Sequence, residues 1–128
     1  MQEKHLYEYA VIRVLPRVER EEFLNVGIII FCKKEKFLQV KYQLDPSRLR
    51  CLAEEFDLEQ IEKNLESFVK ICKGEKDGGP IATMDVPSRF RWLTAVRSSV
   101  IQTSRPHPGF SGELEDTLER LFRELVLL

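Results

Sequence analysis

The sequence predicts an α+β domain in which an antiparallel β-sheet packs against helices. Before Asp45, three strand-like segments follow one another with two short polar connections between them. After Asp45, apolar residues recur at helical spacing instead. The length of 128 residues is that of one domain, and neither an internal repeat nor a domain boundary interrupts it. We therefore expect one α+β domain over residues 1–128.

The three N-terminal segments have the composition and periodicity of strands. Tyr7–Leu15 and Phe23–Cys32 are largely apolar on both faces, which is typical of central strands, whereas Phe37–Leu44 alternates between apolar and polar residues. Gly27 interrupts the second segment and indicates a β-bulge or a close approach of two backbones. Because the connections are short, we expect an antiparallel meander.

Two helices are predicted after the meander. Asp45 followed by a proline has the pattern of an N-cap with proline at the first helical position. Asp57 with Gln60 three residues later is typical of a capping box, and Gly74 provides the C-terminal stop of that second helix. We expect this helix, Leu58–Lys73, to cover one face of the sheet.

Two shorter segments and a last helix follow. Residues 81–86 fit either a short edge strand or an extended link, and residues 87–93 fit a short helix that opens at Pro87. The last helix is expected to start at Ser111 or Gly112, because acidic residues in its first turn suit the helix dipole. One stripe of this helix carries the apolar residues Leu114, Leu118, Leu121, Phe122 and Leu125.

Composition restricts the classes of function. A net charge of −1 argues against a general nucleic-acid-binding surface, since such binding needs many cationic contacts. No apolar run is long enough for a membrane span, and the N-terminus lacks the apolar stretch of a signal peptide, so we expect a cytoplasmic protein. Cys32, Cys51 and Cys72 are scattered, so we expect reduced thiols and no metal site. Neither standard nucleotide-binding glycine motif is present, and no cofactor is expected.

Charge is unevenly distributed, and this points to a candidate site. Residues 87–112 contain four arginines and neither Asp nor Glu. Guanidinium groups beside hydroxyls are well suited to hold phosphate or carboxylate. A straight strand over residues 95–104 would place alternate side chains on one face. The sequence therefore predicts an anion site formed by Arg89, Arg91, Arg97, Ser99, Thr103 and Arg105. The alternative is that these arginines are exposed or paired with acidic residues elsewhere in the fold.

His107 is the candidate for an acid or base. It lies between two prolines in residues 105–109, a segment that we expect to be irregular because proline removes a backbone donor and fixes φ. If His107 is catalytic, the protein is a metal-independent enzyme acting on a phosphate ester, and a pocket must lie beside the imidazole. The other interpretation is an ordinary surface histidine in a turn.

Arg13 and two aromatic residues also have alternative interpretations. Arg13 lies on a strand that is apolar on both faces, and we expect it to pair with an acidic residue of the following connection, Glu19, Glu21 or Glu22. Phe90 and Trp92 are more typical of a core than of a base-stacking platform. If the protein is instead a structural interaction subunit, a flat exposed apolar patch should lie around Phe90, Trp92 and Phe110.

Two stretches of the chain resemble the paired signatures of a bacterial family, domain of unknown function 3037. The first stretch reads YAVIRVLP at residues 9–16 and continues as REEFLNVGII at residues 20–29. The second reads RFRWLTAVRSSVIQTS at residues 89–104 and ends in HPG at residues 107–109. The resemblance implies no particular reaction. It implies a regulatory role with a partner protein, a HipA-like kinase.

From the residues and this resemblance, we expect a cytoplasmic binding or regulatory module. It would hold an anionic group, carried either by a small molecule or by a partner protein such as a HipA-like kinase. The phosphate-ester enzyme and the structural interaction subunit remain the two alternatives.

Overall fold

The computed structural model describes residues 3–127, which form one antiparallel sheet with helices on both faces. The strands are β1 (His5–Val14), β2 (Leu24–Cys32), β3 (Phe37–Tyr42), β4 (Ile101–Thr103) and β5 (His107–Ser111). The helices are α1 (Pro46–Leu49), α2 (Leu58–Lys73), α3 (Val86–Leu93) and α4 (Leu114–Leu125). The predicted α+β class and the predicted meander of β1, β2 and β3 are confirmed.

Strand β1 occupies the centre of the sheet. It pairs with β2 along one edge and with both β4 and β5 along the other, and β3 lies outside β2. Between β4 and β5 the register shifts by one residue, and Ser104 bridges this irregularity. The Ser104 N–H donates to the Val11 carbonyl at 2.8 Å, and the Val11 N–H donates to Ser104 Oγ at 2.9 Å. The hydroxyl thus replaces a missing backbone acceptor, and one irregular edge strand runs along the whole of β1.

Both faces of the sheet are covered. On one face, α2 and α3 enclose a core in which the rings of Phe31 and Phe90 stack with centroids 4.8 Å apart. On the other face, α4 packs on Ile28, Ile30 and Val11. This arrangement explains why β1 and β2 are apolar on both sides: each face of the sheet is removed from water by a different helix. The predicted placement of α2 over one face is confirmed.

The N-termini of α1 and α2 follow the predicted capping residues. The Asp45 carboxylate accepts the Ser47 N–H at 2.9 Å, and the Asp57 carboxylate accepts the Gln60 N–H at 3.0 Å. The Gln60 side chain does not complete a capping box, because it donates to Asn64 instead. Gly74 ends α2 in the left-handed conformation with φ 70°, a conformation that glycine adopts without a steric penalty.

Residues 95–104 do not form the predicted strand. Only Ile101–Thr103 is a strand, and the Val100 carbonyl makes the last contact with β1 by accepting the Leu15 N–H at 2.8 Å. The reason is that Pro16 follows Leu15 and has no N–H to donate, so β1 offers no partner to the preceding residues. The loop of residues 95–100 therefore leaves the sheet, and the alternation on which the predicted face was based does not apply to it.

The prediction for residues 105–109 was also wrong in part. Residues His107–Ser111 form β5 despite Pro108, because β5 is an edge strand that pairs only with β1. Residues 81–86 form neither a strand nor an extended link: Pro80–Thr83 is a 3₁₀ turn. Helix α4 begins at Leu114, later than predicted, and the Ser111 hydroxyl accepts the Glu113 N–H at 3.0 Å just before it.

The predicted bulge in β2 is present. The register of β1 and β2 shifts between Ile12 and Arg13, next to Gly27. A Cβ atom on Gly27 would lie 2.7 Å from both the Lys41 carbonyl oxygen and Tyr42 Cβ, closer than such atoms pack. Glycine is therefore required here by the close approach of β3.

Substituting Gly27→Ala is expected to lower the free energy of unfolding by about 1–3 kcal/mol, because the new methyl group displaces backbone atoms of β3. Urea unfolding followed by circular dichroism measures the change. Gln39→Ala, at an exposed position of β3, serves as the control and should alter stability little. An unchanged urea midpoint for Gly27→Ala would show that β2 and β3 can move apart at this position without any loss of stability.

The three cysteines are free, and they differ in accessibility: Cys32 and Cys72 are buried, whereas Cys51 is exposed. Burial raises the pKa of the Cys72 thiol from 9.0 to about 12. Cys72 lies in the core between α2 and the sheet and is 1% exposed. Among the described residues, no helix is long and apolar enough to cross a membrane.

The Cys72 thiol should make stability depend on alkaline pH. The unfolded chain loses this proton above pH 9.0, whereas the folded chain keeps it until about pH 12. The free energy of unfolding therefore falls as pH rises through this window, by about 1.4 kcal/mol per pH unit from this group. The stability advantage of the wild type over Cys72→Ala should shrink correspondingly between pH 9 and pH 11. Parallel stability curves for the two proteins would contradict the assignment.

Candidate functional site

A cavity of about 280 Å³ lies between α2, α3, β4 and the loop of residues 95–100. We call it the Arg97 cavity. It brings together three of the six predicted ligand-binding residues, Arg97, Ser99 and Thr103. No carboxylate lines it, and all of its other lining side chains are apolar or uncharged polar: Asn64, Ser67, Phe68, Ile71, Trp92, Leu93, Ala95, Ile101 and Gln102.

Arg97 is positioned by the end of α3. Its Nε donates to the Ala95 carbonyl at 3.4 Å, its Nη2 donates to the Trp92 carbonyl, and its guanidinium carbon lies 4.3 Å from the centroid of the Trp92 ring. A cation at this place interacts favourably with the negative end of the helix dipole and with the aromatic face. Within residues 3–127, Arg97 forms no ion pair with a carboxylate, and its Nη1 donates no hydrogen bond. One side of the guanidinium is thus available to a ligand.

The two hydroxyls of the Arg97 cavity have different roles. Ser99 Oγ donates its hydrogen to the Ile101 carbonyl at 2.6 Å, so it shapes the loop and has no hydrogen left for an anion. Thr103 Oγ1 is buried and has no hydrogen-bond partner among the described residues. A buried hydroxyl without a partner is costly, and its presence beside a cavity indicates a missing acceptor or donor. Thr103 is therefore the hydroxyl that can donate to a bound anion.

The other three predicted arginines lie outside the Arg97 cavity. Arg91 makes a bidentate pair with Glu8 of β1, at 3.1 and 2.6 Å, so a carboxylate from another segment neutralises it. Arg89 lines a different cleft, at the β3 edge of the sheet, and its Nη1 donates to the Met84 carbonyl at 2.8 Å. Arg105 is exposed in the connection between β4 and β5. The four arginines do not converge, because the strand expected to align Arg97 with Arg105 begins only at Ile101.

His107 lies in β5 opposite Tyr9, and the two rings are 5.4 Å apart. It is half-buried and does not line the Arg97 cavity. The phosphate-ester enzyme would need a pocket beside this imidazole that also contains the arginines. The structure places the histidine and Arg97 in separate surroundings.

The expected ion pair of Arg13 is not formed within the described residues. The Arg13 guanidinium lies 4.1 Å from the centroid of the Phe23 ring instead. Two of the three acidic residues of the following connection are engaged locally: Arg17 pairs with Glu19 at 2.8 Å, and Arg20 pairs with Glu22 at 2.5 Å. Arg13 Nε is buried and has no hydrogen-bond partner among the described residues, so the contact with the Phe23 ring is the interaction that the structure shows in place of the expected ion pair.

The apolar patch expected for an interaction subunit is present only in part. Phe90 is fully buried, whereas Trp92 is 39% exposed and Phe110 is 69% exposed. Phe110 lies opposite Leu6 in the pairing of β5 with β1, and Leu6 is exposed as well. Phe90 is thus a core residue, as predicted, whereas the same prediction was wrong for Trp92, whose partly exposed ring stacks with Arg97.

The contribution of α2 to the Arg97 cavity was not predicted. Asn64 and Ser67 are one helical turn apart and line it opposite Arg97. The only signal in the sequence is that uncharged polar residues occur at a spacing of three on an otherwise charged helix surface. In the described part of the chain, no group of three or more His, Cys, Asp or Glu side chains is arranged to hold a metal ion.

No curated protein and no solved structure matches the chain. A family model described as Protein of unknown function (DUF3037) matches residues 9–126, a segment that runs from the middle of β1 past the end of α4. Since this match includes both signature stretches and nearly the whole chain, the chain belongs to the DUF3037 family.

Proposed function

We propose that this domain is a binding module with a regulatory role and that the Arg97 cavity holds an anionic group. One observation carries the proposal: Arg97, without a carboxylate partner within residues 3–127, and the buried Thr103 hydroxyl, without any hydrogen-bond partner there, line the same cavity. Both groups are donors, and an anion is the ligand that satisfies both.

The charge of the cavity favours a carboxylate over a phosphate. Arg97 is the single cation among the residues that line it. One guanidinium balances a singly charged group, and its planar donors match the two oxygens of a carboxylate. A phosphate dianion would leave about one negative charge uncompensated in a partly enclosed space.

The apolar lining indicates what the carboxylate is attached to. Phe68, Trp92 and Ile101 lie around the polar groups, so an aromatic or branched aliphatic body would bury apolar surface there. The volume of about 280 Å³ is small and suits a short ligand or one protruding group of a larger partner. The ligand class is therefore a small monocarboxylate with an apolar body.

The same chemistry has a second source, a side chain or chain terminus of a partner protein. The HipA-like kinase implied by the family resemblance is the partner that we propose for this role, in the cytoplasm of a bacterium. The site does not favour the phosphate-ester enzyme, because His107 does not line the cavity that contains Arg97.

Phenylacetate is expected to bind the Arg97 cavity, and Trp92, the single tryptophan of the chain, reports on it. Titration should change the tryptophan fluorescence saturably and shift the amide resonances of Ser67 and Thr103. Phenylacetamide, the neutral analogue, should bind at least about tenfold more weakly, because the charge-assisted hydrogen bonds are lost.

Two variants separate binding from folding. Thr103→Val removes the unpaired hydroxyl while keeping its shape, so phenylacetate affinity should fall although stability does not. Arg97→Gln should abolish most of the binding, whereas Arg105→Gln, also within residues 87–112 but outside the cavity, should leave it unchanged.

Equal binding of phenylacetamide, or full affinity in Thr103→Val, would refute an anion site here. A pulldown with a HipA-like kinase that survives Arg97→Gln would refute the partner role of this cavity.

A further inference from the structure

We propose a second anion site, for a phosphate-class ligand, in the cleft at the β3 edge of the sheet. This cleft, of about 370 Å³, is lined by Lys36 from the β2–β3 turn, Lys73 from the end of α2 and Arg89 from α3. No carboxylate lines it. Three separate elements thus place three cations around one concave surface. The Arg97 cavity, in contrast, lies at the β4 edge of the sheet and is lined by one cation.

Arg89 is held in place by the protein and still lacks a partner. Its Nη1 donates to the Met84 carbonyl at 2.8 Å, and its Nε is buried without any hydrogen-bond partner among the described residues. The guanidinium packs against the backbone of Gly74, where a Cβ atom would lie only 3.2 Å from Nη1. A buried donor of a charged group is costly when unsatisfied, so Arg89 Nε indicates a missing acceptor.

The carboxylates on neighbouring segments form other interactions, although Asp85 also lies near Arg89: hydrogen bonds from Ser88 and, to a smaller degree, the Arg89 charge lower the pKa of Asp85. Asp85 caps α3 by accepting the Ser88 N–H at 2.9 Å, and Asp77 pairs with Lys70 at 2.8 Å. Glu35 lies 3.4 Å from His5. Within residues 3–127, neither Lys36 nor Lys73 forms an ion pair. The Cys72 thiol, which also lines the cleft, stays neutral at physiological pH because burial raises its pKa to about 12.

The number and type of the cations define the ligand class. Lysine ammonium groups act as mobile point charges, and the arginine fork binds two oxygens at once, a combination typical of phosphate recognition. Three positive charges match a phosphate dianion or a pyrophosphate better than a monocarboxylate. The site does not depend on the proposed function, since no residue of the Arg97 cavity takes part in it.

Titration of the full chain with inorganic phosphate and with pyrophosphate, followed by amide and arginine Nε–H resonances, tests this site. Saturable shifts are expected at Lys36, Lys73, Gly74 and Arg89 Nε–H. Phenyl phosphate provides a second arm: tighter binding of pyrophosphate assigns the cleft to free oligophosphate, and tighter binding of phenyl phosphate assigns it to a phosphomonoester. Either result supports the site. The absence of saturable shifts at millimolar concentrations of all three ligands would overturn it.

Matched variants locate the binding. Lys36→Gln and Lys73→Gln remove exposed charges and should each weaken pyrophosphate binding about two- to fivefold, whereas Arg89→Gln should weaken it about tenfold or more. Lys33→Gln, an exposed lysine of the same turn that does not line the cleft, should change affinity less than about twofold. Arg97→Gln should leave pyrophosphate binding intact. If Arg89→Gln does not fold, the lysine variants decide, and an equal effect of Lys33→Gln would overturn the proposal.

Discussion

Strand β1 has to be buried on both faces and paired on both edges, and the rest of the structure depends on this constraint. Its two apolar faces require α2 and α3 on one side and α4 on the other. Its edges require β2 and the irregular strand made of β4 and β5. Because Pro16 ends the strand, residues 95–100 have nothing to pair with and form a loop beside α2. The Arg97 cavity is the space that this loop encloses.

Residues 87–112 contain no Asp or Glu, and three of their four arginines lie beside different neighbours. Arg91 pairs with the half-buried Glu8 of β1, Arg97 stacks on Trp92 at the end of α3, and Arg89 lines the cleft at the β3 edge of the sheet. An arginine paired with a carboxylate is satisfied by the fold itself. An arginine bound only to backbone carbonyls keeps its charge uncompensated and remains attractive to an anion. This difference, rather than the number of arginines, distinguishes candidate binding groups from structural ones.

The sequence was sufficient to predict the meander, the limits of α2 and the bulge at Gly27, because each depends on local periodicity, a capping residue or one glycine. It was insufficient where a segment depends on a distant partner. Residues 95–100 have β-branched composition but no strand to pair with, and His107–Ser111 forms a strand despite Pro108 because β1 is adjacent. In the candidate site, the sequence predicted that Arg97, Ser99 and Thr103 lie close together. That prediction assumed a straight strand over residues 95–104, and this strand does not form. Asn64 and Ser67, from α2, were missed because nothing in the sequence shows which helix surface faces the loop.

The position of bound phenylacetate relative to the protein tests most directly whether the Arg97 cavity holds a carboxylate. Intermolecular nuclear Overhauser effects between phenylacetate and the full chain measure this position. Our account predicts contacts from the phenyl protons to Trp92 and Ile101, with the methylene protons next to the carboxylate close to Arg97 and Thr103. Contacts confined to the exposed pair Leu6 and Phe110 would show that the ligand binds an apolar surface without recognition of its charge, and would contradict the account.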